Sequence, residues 1–248
     1  MPLRRLYFPG PITLGSSITL DGGTFQHAIR VLRLKPGATL LLFNGDNQEF
    51  QATLLQVRRH TATAQIEQVL ARSVESPLSI LLAQGIAKGS RMDYSLQKAV
   101  ELGVAAILPL VTQRSSVVDL SRERLFKRHQ HWRNIVISAC EQCGRNRIPE
   151  VLAPIVAIDW LKRYRPDGLS VLLNPQAQRN LRQLDRRQSK VTLLIGPEGG
   201  LTDAECALAE ATGFIGVRLG PRILRTETAG VAALSAMQLL WGDLGQLN

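Results

Sequence analysis

The chain has 248 residues, of which 45% are hydrophobic, so it is long enough and apolar enough to bury a core and to form two domains. Its 30 Lys and Arg residues outnumber its 20 Asp and Glu residues, and the resulting net charge of +10 favours a polyanionic partner such as nucleic acid. No apolar run approaches the roughly twenty residues of a membrane-spanning helix, and the first residues lack the apolar core of a signal peptide, so we expect a cytoplasmic protein without a membrane partner.

The first part of the chain, residues 1–73, has the pattern of a β-rich domain. Turn signals at Asp21-Gly22-Gly23, Pro36-Gly37 and Asn44-Gly45 separate short apolar runs, which predicts alternating strands joined by turns. The segment Thr24–Leu34 has helical spacing instead. The side chains expected near its apolar face are Phe25, Ala28, Val31 and Leu32.

Basic residues cluster in this first part. Arg30 and Arg33 lie on the polar side of the predicted helix, and Arg4 and Arg5 are available nearby. Each arginine alone fits an ordinary solvated surface equally well, but the cluster favours contact with RNA phosphates.

A polar segment ending in proline, Ser73–Pro77, marks the expected boundary between a domain of residues 1–73 and one of residues 74–248. Beyond it, strands alternate with helices, which is typical of an α/β domain with a parallel sheet. The predicted strands are Leu78–Ala83, Val104–Val111 and Leu169–Leu173, and the predicted helices are Arg91–Gly103 and Arg122–Cys143.

Two apolar runs near the end of the chain, Val191–Ile195 and Phe214–Leu219, each lead into a Gly-Pro turn and then into a helix. Glycines allow a ligand to approach the backbone closely, and helix starts present unpaired N–H groups. Thr202 and Glu205 have the spacing of a capping box, and we expect Thr226 to cap the second helix.

Ligands of parallel sheets collect at the carboxyl ends of the strands, where Asn174, Gly196 and Gly220 fall in this sequence. The chain has neither a dinucleotide fingerprint nor a P-loop, so these patterns support neither NAD nor ATP. The main-chain groups and apolar side chains predicted at the site would suit an adenine ring. The residues allow that ligand without identifying it.

Three cysteines, Cys140, Cys143 and Cys206, leave one unpaired in any disulfide framework, which fits a reducing compartment. The Cys140-x-x-Cys143 spacing is compatible with half a zinc site or a redox pair. No second such pair or spaced His pair completes four ligands, so we expect no metal.

Long motifs of the chain resemble those of the RsmE family, the 16S rRNA uridine-N3 methyltransferases of the SPOUT superfamily. They read I-G-P-E-G-G-L-T-D-A-E, L-G-P-R-I-L-R-T-E-T-A, K-G-S-R-M-D-Y-S-L-Q-K-A-V-E-L-G-V, P-L-V-T-Q-R-S and A-C-E-Q-C-G-R-N-R-I-P-E. The resemblance implies a SPOUT-type parallel sheet with a C-terminal trefoil knot, an N-terminal PUA-like β-barrel and a homodimer. It also implies S-adenosylmethionine (SAM) as the cofactor and N3 of a specific uridine in 16S rRNA of the 30S subunit as the target.

The resemblance and the pattern together give three predicted sets of site residues. The cofactor-binding set is Leu173, Asn174, Ile195, Gly196, Pro197, Gly199, Gly200, Leu219, Gly220, Ile223, Leu224, Thr226 and Ala229. The catalytic set is Arg225, Glu198 and Arg114. The RNA-binding set is Arg4, Arg5, Arg30, Arg33, Lys88, Arg91, Arg145 and Arg222.

The N3 proton of uracil must leave before or during methyl transfer, and two routes stay open. Glu198 could accept the proton, or arginines could stabilise the uracil anion and lower its pKa. Glu198 could equally serve only to fix its loop. Two alternative functions also stay open, namely a non-catalytic ribosome-binding or assembly module and a SPOUT enzyme with another RNA nucleotide as its target.

Overall fold

The computed structural model describes residues 4–115, 121–184 and 189–245. The chain forms two compact units. The first comprises Met1–Glu75 with Cys140–Ile148, and the second comprises Ser76–Ala139 with Pro149–Asn248.

The first unit is built on a five-stranded sheet. Its elements in chain order are strand β1 (Arg4–Tyr7), strand β2 (Ser17–Leu20), helix α1 (Gly22–Phe25) continued by a π-helix (Gln26–Val31), and strands β3 (Thr39–Phe43), β4 (Glu49–Val57) and β5 (Ala62–Leu70). The strand order is β1-β3-β4-β5-β2, in which β1 and β3 are parallel and the other pairs are antiparallel. Alternate residues of these strands point into one apolar core, which also contains Phe25 and Ala28.

The helical segment of this unit departs from the predicted α-helix. Phe25 and Ala28 are buried as expected, but the side chain of Val31 is 66% exposed, so its predicted place on the apolar face was wrong. The cause is the π-helical turn, in which the N–H of Leu32 donates to the carbonyl of His27. This wider turn rotates later residues away from the face that α-helical spacing predicts.

The segment Cys140–Ile148 belongs to the first unit although it begins in the last turn of the long helix Arg122–Cys143, whereas the sequence predicts it in the domain of residues 74–248. Polar contacts hold it in place. Arg145 Nη2 lies 2.6 Å from Glu75 Oε2, and Asn146 Nδ2 donates to the carbonyl of Arg72 at 2.7 Å. Because Arg145 and Asn146 are buried, these contacts are shielded from water.

The second unit alternates strands and helices. Its elements are β6 (Ser79–Gly85), α2 (Ser90–Glu101), β7 (Ala106–Val111), α3 (Arg122–Cys143, whose last four residues lie in the first unit), β8 (Glu150–Val151), β9 (Ile155–Val156), α4 (Ala157–Arg163), β10 (Leu169–Leu173), a 3₁₀ turn (Leu181–Gln183), β11 (Lys190–Ile195), α5 (Asp203–Ala211), β12 (Ile215–Val217) and α6 (Thr226–Trp241).

All the strand pairs of the second unit are parallel, in the order β12-β10-β11-β6-β7-β8, with β9 also paired to β7. The predicted α/β class with a parallel sheet is therefore confirmed. Helices α4 and α5 pack with the strand residues Leu172 and Leu194 in one core cluster. Helix α6 lies against Ile195 and Gln84, because a Cβ placed on Gly230 would be 3.6 Å and 3.9 Å from their side-chain atoms.

The helix bounds follow the local signals closely. Helix α3 has the predicted bounds, and α2 ends at Glu101, just before Gly103, whose φ of 78° suits a residue that ends a helix. Strand β12 is shorter than the predicted run Phe214–Leu219. No helix in the described part of the chain combines the length and the apolar character that crossing a membrane requires.

Candidate active site

The carboxyl ends of β10, β11 and β12 lie side by side at one edge of the sheet. In the register of these parallel strands, Leu173 lies opposite Val217 and Leu172 lies opposite Leu194. The segments that begin at Asn174, at Gly196 and at Arg218 therefore leave the sheet from three neighbouring strands. This arrangement is the one expected of a ligand site in a parallel sheet.

Residues 196–201, which follow β11, make a tight bend that we call bend 1. The N–H of Gly200 donates to the carbonyl of Pro197 at 2.8 Å, and Gly200 has a φ of 68°, a conformation that glycine adopts without strain. A Cβ on Gly196 would lie only 2.8 Å from the nitrogen of Leu201. Glycine is thus required at both positions for the backbone to close this turn.

The predicted capping box follows bend 1 and is confirmed. Thr202 is the N-cap of α5, its side chain accepts a hydrogen bond from the N–H of Glu205, and the Glu205 carboxylate accepts from the N–H of Thr202 at 2.8 Å. The same carboxylate, fully buried, also accepts from the N–H of Gln113 at 2.9 Å. Glu205 therefore ties the segment after β7 to the start of α5.

Arg114 supports the backbone of bend 1. Its Nη1 donates to the carbonyl oxygens of Gly199 at 3.0 Å and of Leu201 at 3.3 Å. A Cβ on Gly199 would lie 3.0 Å from the Cβ of Arg114, so the bend and the arginine are in close contact. Two of the donor directions of this guanidinium are consequently used to hold the main chain.

Glu198, at the tip of bend 1, is held by the start of α2. Its Oε1 accepts from the N–H of Lys88 at 2.8 Å and from Arg91 Nη1 at 3.0 Å. The Arg91 Nε also lies 3.9 Å from Glu227 Oε1 on α6. Arg91 thus joins bend 1, α2 and α6.

These contacts change the acidity of Glu198. Desolvation by burial acts to raise the pKa of its carboxyl group, but hydrogen bonds from the N–H groups of Lys88 and of Glu198 itself and from Arg91 outweigh that effect. The pKa of Glu198 is therefore lowered from its ordinary value. A carboxylate stabilised in this way is a weaker base than a free one.

The segment after β12, residues 219–225, which we call bend 2, has little main-chain pairing of its own. Within the described residues, no backbone–backbone hydrogen bond involves residues 219–224, whereas the preceding N–H of Arg218 donates to the carbonyl of Arg179. Gly220 has a φ of 71°, and the side chain of Ile223 is 86% exposed. The polar main chain of bend 2 is therefore available to a ligand.

Two arginines of bend 2 are exposed, Arg222 and Arg225. Neither guanidinium has a hydrogen-bond or ion-pair partner within the described part of the chain. This distinguishes them from Arg114 and Arg91, whose guanidinium groups hold bend 1.

Thr226 begins α6 but does not cap it, so that prediction was wrong. The N-cap is Arg225, and Thr226 is the first helical residue. Its hydroxyl donates to the carbonyl of Gly196 at 2.6 Å and accepts from Gln84 Nε2 at 3.0 Å, so it faces strand β11 and not the N–H groups of its own helix. The start of α6 is thereby fixed to bend 1.

The residues predicted to bind RNA fall into three groups. Arg5 and Arg145 are corrections, because their side chains are buried in ion pairs with Glu49 and Glu75 and are not surface cations. Arg91 is exposed but is paired with Glu198. The remaining members of the set are exposed, namely Arg4, Arg30, Arg33, Lys88 and Arg222.

The described residues contain no group of three or more His, Cys, Asp and Glu side chains that could hold a metal ion. Burial raises the pKa of the Cys140 thiol to about 12, so this thiol stays protonated at neutral pH. A protonated, buried thiol is a poor metal ligand and a poor redox nucleophile.

Comparison with known proteins decides the family. The RNA methyltransferase domain family matches residues 74–238, and the RNA methyltransferase PUA domain family matches residues 20–67. A ribosomal RNA small subunit methyltransferase E from Buchnera aphidicola is 37% identical over 244 residues, which are 97% of each chain. The chain belongs to the ribosomal RNA small subunit methyltransferase E family. It is therefore an enzyme of the RNA methyltransferase class.

Solved structures of similar chains agree with this family. A methyltransferase from Legionella pneumophila, solved with its bound cofactor SAM, has a TM-score of 0.94 and 43% identity, covering 98% of this chain and 100% of its own. A ribosomal RNA small subunit methyltransferase E from Neisseria gonorrhoeae, bound to S-adenosyl methionine, has a TM-score of 0.91 and 39% identity, covering 98% and 99%.

Gln84 is a residue of the candidate site that the sequence patterns did not predict. Gln84, in the run L-L-A-Q-G at the end of β6, is fully buried and donates to the hydroxyl of Thr226. The available signal was a polar residue within an apolar strand that ends beside the site. This pattern does not indicate which residue the Gln84 side chain contacts.

Proposed function

We propose that the protein is a SAM-dependent methyltransferase that methylates N3 of a specific uridine in the 16S rRNA of the 30S subunit. Family membership supports the reaction class, and the bound ligands of the Legionella and Neisseria structures support the cofactor. The observation on which the proposal depends is the pair of bends on either side of the end of β10. Bend 1 is hydrogen-bonded to the start of α6, and the main chain of residues 219–224 in bend 2 is unpaired within the described residues.

The residues of the two bends suit SAM in chemistry. The main-chain N–H and C=O groups of residues 219–224 can pair with the polar edge of an adenine ring, while Leu173, Leu219 and Leu224 offer half-buried apolar contacts. Glycines at positions 199, 200 and 220 let a ligand approach the backbone. The predicted cofactor-binding set given above is retained, except that the Thr226 hydroxyl acts through Gly196.

When bound, SAM supplies a methyl group already activated by its sulfonium. In the reaction the N3–CH₃ bond forms, the S–CH₃ bond breaks and the N3 proton passes to solvent. The protein's work is to hold the two reactants in line, which can contribute about 7–11 kcal/mol of barrier reduction. Few reactive side chains are needed for this.

Arg225 is the residue that we assign to the uracil, since it is exposed at bend 2 and unpaired within the described residues. A guanidinium beside the ring stabilises the negative charge that develops on uracil as its proton leaves. Arg222 would add to the same positive field. Glu198 and Arg114 act by holding bend 1. For Glu198, this is the structural role that the sequence left open beside that of a general base.

The exposed Arg4, Arg30 and Arg33 of the first unit and Lys88 of the second are the proposed RNA contacts. The proposal retains the PUA-like barrel, the trefoil knot and the homodimer. It also retains the domains of residues 1–73 and 74–248, with the segment Cys140–Ile148 assigned to the first. An rRNA substrate would place the protein in the cytoplasm.

The test is to incubate the protein with isotopically labelled SAM and 30S subunits from a strain that lacks the endogenous enzyme, and then to analyse the nucleosides by mass spectrometry. We expect label in 3-methyluridine. Label in another nucleoside would mean a different target. Binding to the 30S subunit without any label would mean a ribosome-binding module and would contradict the proposal.

A further inference from the structure

Gln84 is a polar side chain at a position that the fold would otherwise fill with an apolar one. It lies in β6, near the middle of the sheet, opposite Ile195 of β11, and it is fully buried. The residues before it, Leu82 and Ala83, are buried and apolar. Burying an amide is unfavourable unless its hydrogen bonds are satisfied.

The amide nitrogen of Gln84 is surrounded by acceptors. Nε2 lies 3.0 Å from the carbonyl of Gly85, 3.0 Å from the hydroxyl of Thr226 and 3.5 Å from the carbonyl of Gly196. Because Thr226 gives its own proton to Gly196, its hydroxyl can only accept from Gln84. The donor and the acceptor of both hydrogen bonds are therefore fixed, with Gln84 donating to Thr226 and Thr226 donating to Gly196.

The amide oxygen of Gln84 is buried and has no hydrogen-bond partner within the described residues. An apolar side chain at this position would avoid that unpaired acceptor. Gln84 therefore lowers the stability of the fold through its unpaired oxygen, while its amide supplies two N–H donors that an apolar side chain lacks. Local costs of this kind are expected where function requires them.

The neighbour of Gln84 constrains bend 1 from the same side. A Cβ on Gly85 would lie 2.6 Å from Pro197 Cδ, so the end of β6 is in direct contact with bend 1. Gln84 thus sits where β6, bend 1 and the start of α6 meet, and α6 is the helix that follows bend 2.

We propose that Gln84 is a positioning residue for the cofactor site, which holds bend 1 and the start of α6, and through it bend 2, at the spacing that SAM binding requires. Gln84 acts through Thr226 and Gly196. The inference rests on the proposed function, because it assumes that SAM binds between the two bends.

Gln238 provides a matched control. It is a second buried glutamine of the same unit, and its amide also bridges two segments, by donating to the carbonyl of Leu102 at 2.8 Å and accepting from Ser76 at 2.7 Å. These partners lie outside both bends. The substitution of either glutamine by Met keeps the side-chain length and removes the amide.

The experiment compares Gln84→Met and Gln238→Met with the unchanged protein, with SAM affinity measured by calorimetry and melting temperature measured alongside. We expect Gln238→Met to melt at a lower temperature, because it loses two hydrogen bonds, and Gln84→Met to melt close to the unchanged protein, because Met also removes the unpaired amide oxygen. Only Gln84→Met should weaken SAM binding, by about tenfold or more as for a lost hydrogen bond. The Gln238→Met affinity should stay within about twofold. Unchanged SAM affinity in folded Gln84→Met would overturn the inference.

Two further variants, Thr226→Val and the double variant, test whether Gln84 acts through Thr226. Thr226→Val also tests the proposal if Gln84→Met does not fold. Thr226→Val removes the intermediate hydroxyl, so it should weaken SAM binding as Gln84→Met does, and the double variant should bind no more weakly than either single one. Independent, additive effects, or unchanged affinity in Thr226→Val, would overturn the inference. Failure of the unchanged protein to bind SAM would instead overturn the proposed function.

Discussion

Charged residues at the two bends differ in what their side chains already contact. Arg114 donates to two carbonyl oxygens of bend 1, and Glu198 is paired with Arg91 and the N–H of Lys88. Arg225 is exposed and unpaired within the described residues. A side chain that must stabilise charge on a substrate needs unused donors, so Arg225 is the best placed of the three.

Replacement of Arg225 by Ala should lower kcat by about 10²–10³-fold, the cost typical of a lost group that stabilises developing charge. The fold should be retained, because the side chain is exposed. The measurement is methyl transfer to 30S subunits at saturating SAM, with the melting temperature alongside. Arg218→Ala, at another exposed arginine after β12, is the control and should keep its activity. Full activity in Arg225→Ala would remove this residue from the site.

Replacement of Glu198 by Gln should change kcat by less than about tenfold, because the amide oxygen can still accept from the N–H of Lys88. Loss of a general base would instead cost about 10²–10⁴-fold. The measurement is kcat at saturating SAM and 30S. Asp203→Asn, at an exposed acid nearby, serves as the control, and a drop of 10²-fold or more in Glu198→Gln alone would restore the base assignment.

The pH dependence gives a second readout of the same substitution. Since the folded pKa of Glu198 is lowered, its contribution to stability is present above the pKa of the unfolded chain and is lost as the pH falls through the folded pKa. The difference in melting temperature between the unchanged protein and Glu198→Gln should therefore shrink on acidification. A difference that is independent of pH would show that the carboxylate charge is not involved.

At the scale of elements, the capping box at α5 is the clearest case of a local signal that determines a local structure. The Thr202 hydroxyl and the Glu205 carboxylate satisfy N–H groups that a helix start leaves unpaired. Glu205 adds a bond to the segment after β7. The start of α5 thus also fixes the end of bend 1.

Thr202→Ala should lower the free energy of unfolding by about 1 kcal/mol, the usual cost of a lost N-cap side chain. Urea denaturation measures this value. Ser138→Ala, at an exposed position of α3, should change it by less than about 0.5 kcal/mol. An equal effect of the two substitutions would mean that the cap does not stabilise the helix.

The elements also show what sequence patterns can and cannot predict. Helix α3 and the parallel strands followed from apolar spacing, and the capping box followed from two side chains three residues apart. The burial of Val31 and the cap role of Thr226 were wrong, because a π-helical turn and a bond to a distant carbonyl overrode the local pattern. Local periodicity carries no information on partners far away in the chain.

The same limit explains which parts of the candidate site could be predicted from the sequence. Glycine-rich turns after strands predicted bends 1 and 2, since those residues are required by local backbone geometry. The pairing of Arg145 with Glu75 and of Gln84 with Thr226 joins residues far apart in sequence. Nothing in the spacing of either residue indicates its partner, so Arg145 was misassigned to RNA and Gln84 was missed.

At the scale of the whole molecule, the net charge of +10 is the property that bears on RNA binding. Each phosphate that a cation neutralises releases condensed counterions, so affinity for RNA should fall steeply with salt. For six or more phosphate contacts, the loss between 50 and 200 mM salt is about 10³-fold or greater. Filter binding to 30S subunits measures it.

SAM binding is the internal control for this salt series. Its affinity should change far less than that for 30S subunits over the same range, because one small ligand releases few counterions. An affinity for 30S subunits that does not depend on salt would contradict a phosphate-based interface.

The most direct test of the whole account is amide hydrogen exchange with and without SAM. We expect SAM to slow exchange in peptides covering residues 196–201 and 219–225, the latter including main-chain groups that are unpaired within the described residues. SAM that binds without protecting either bend, or that protects only segments elsewhere, would contradict the claim that these two bends form the cofactor site.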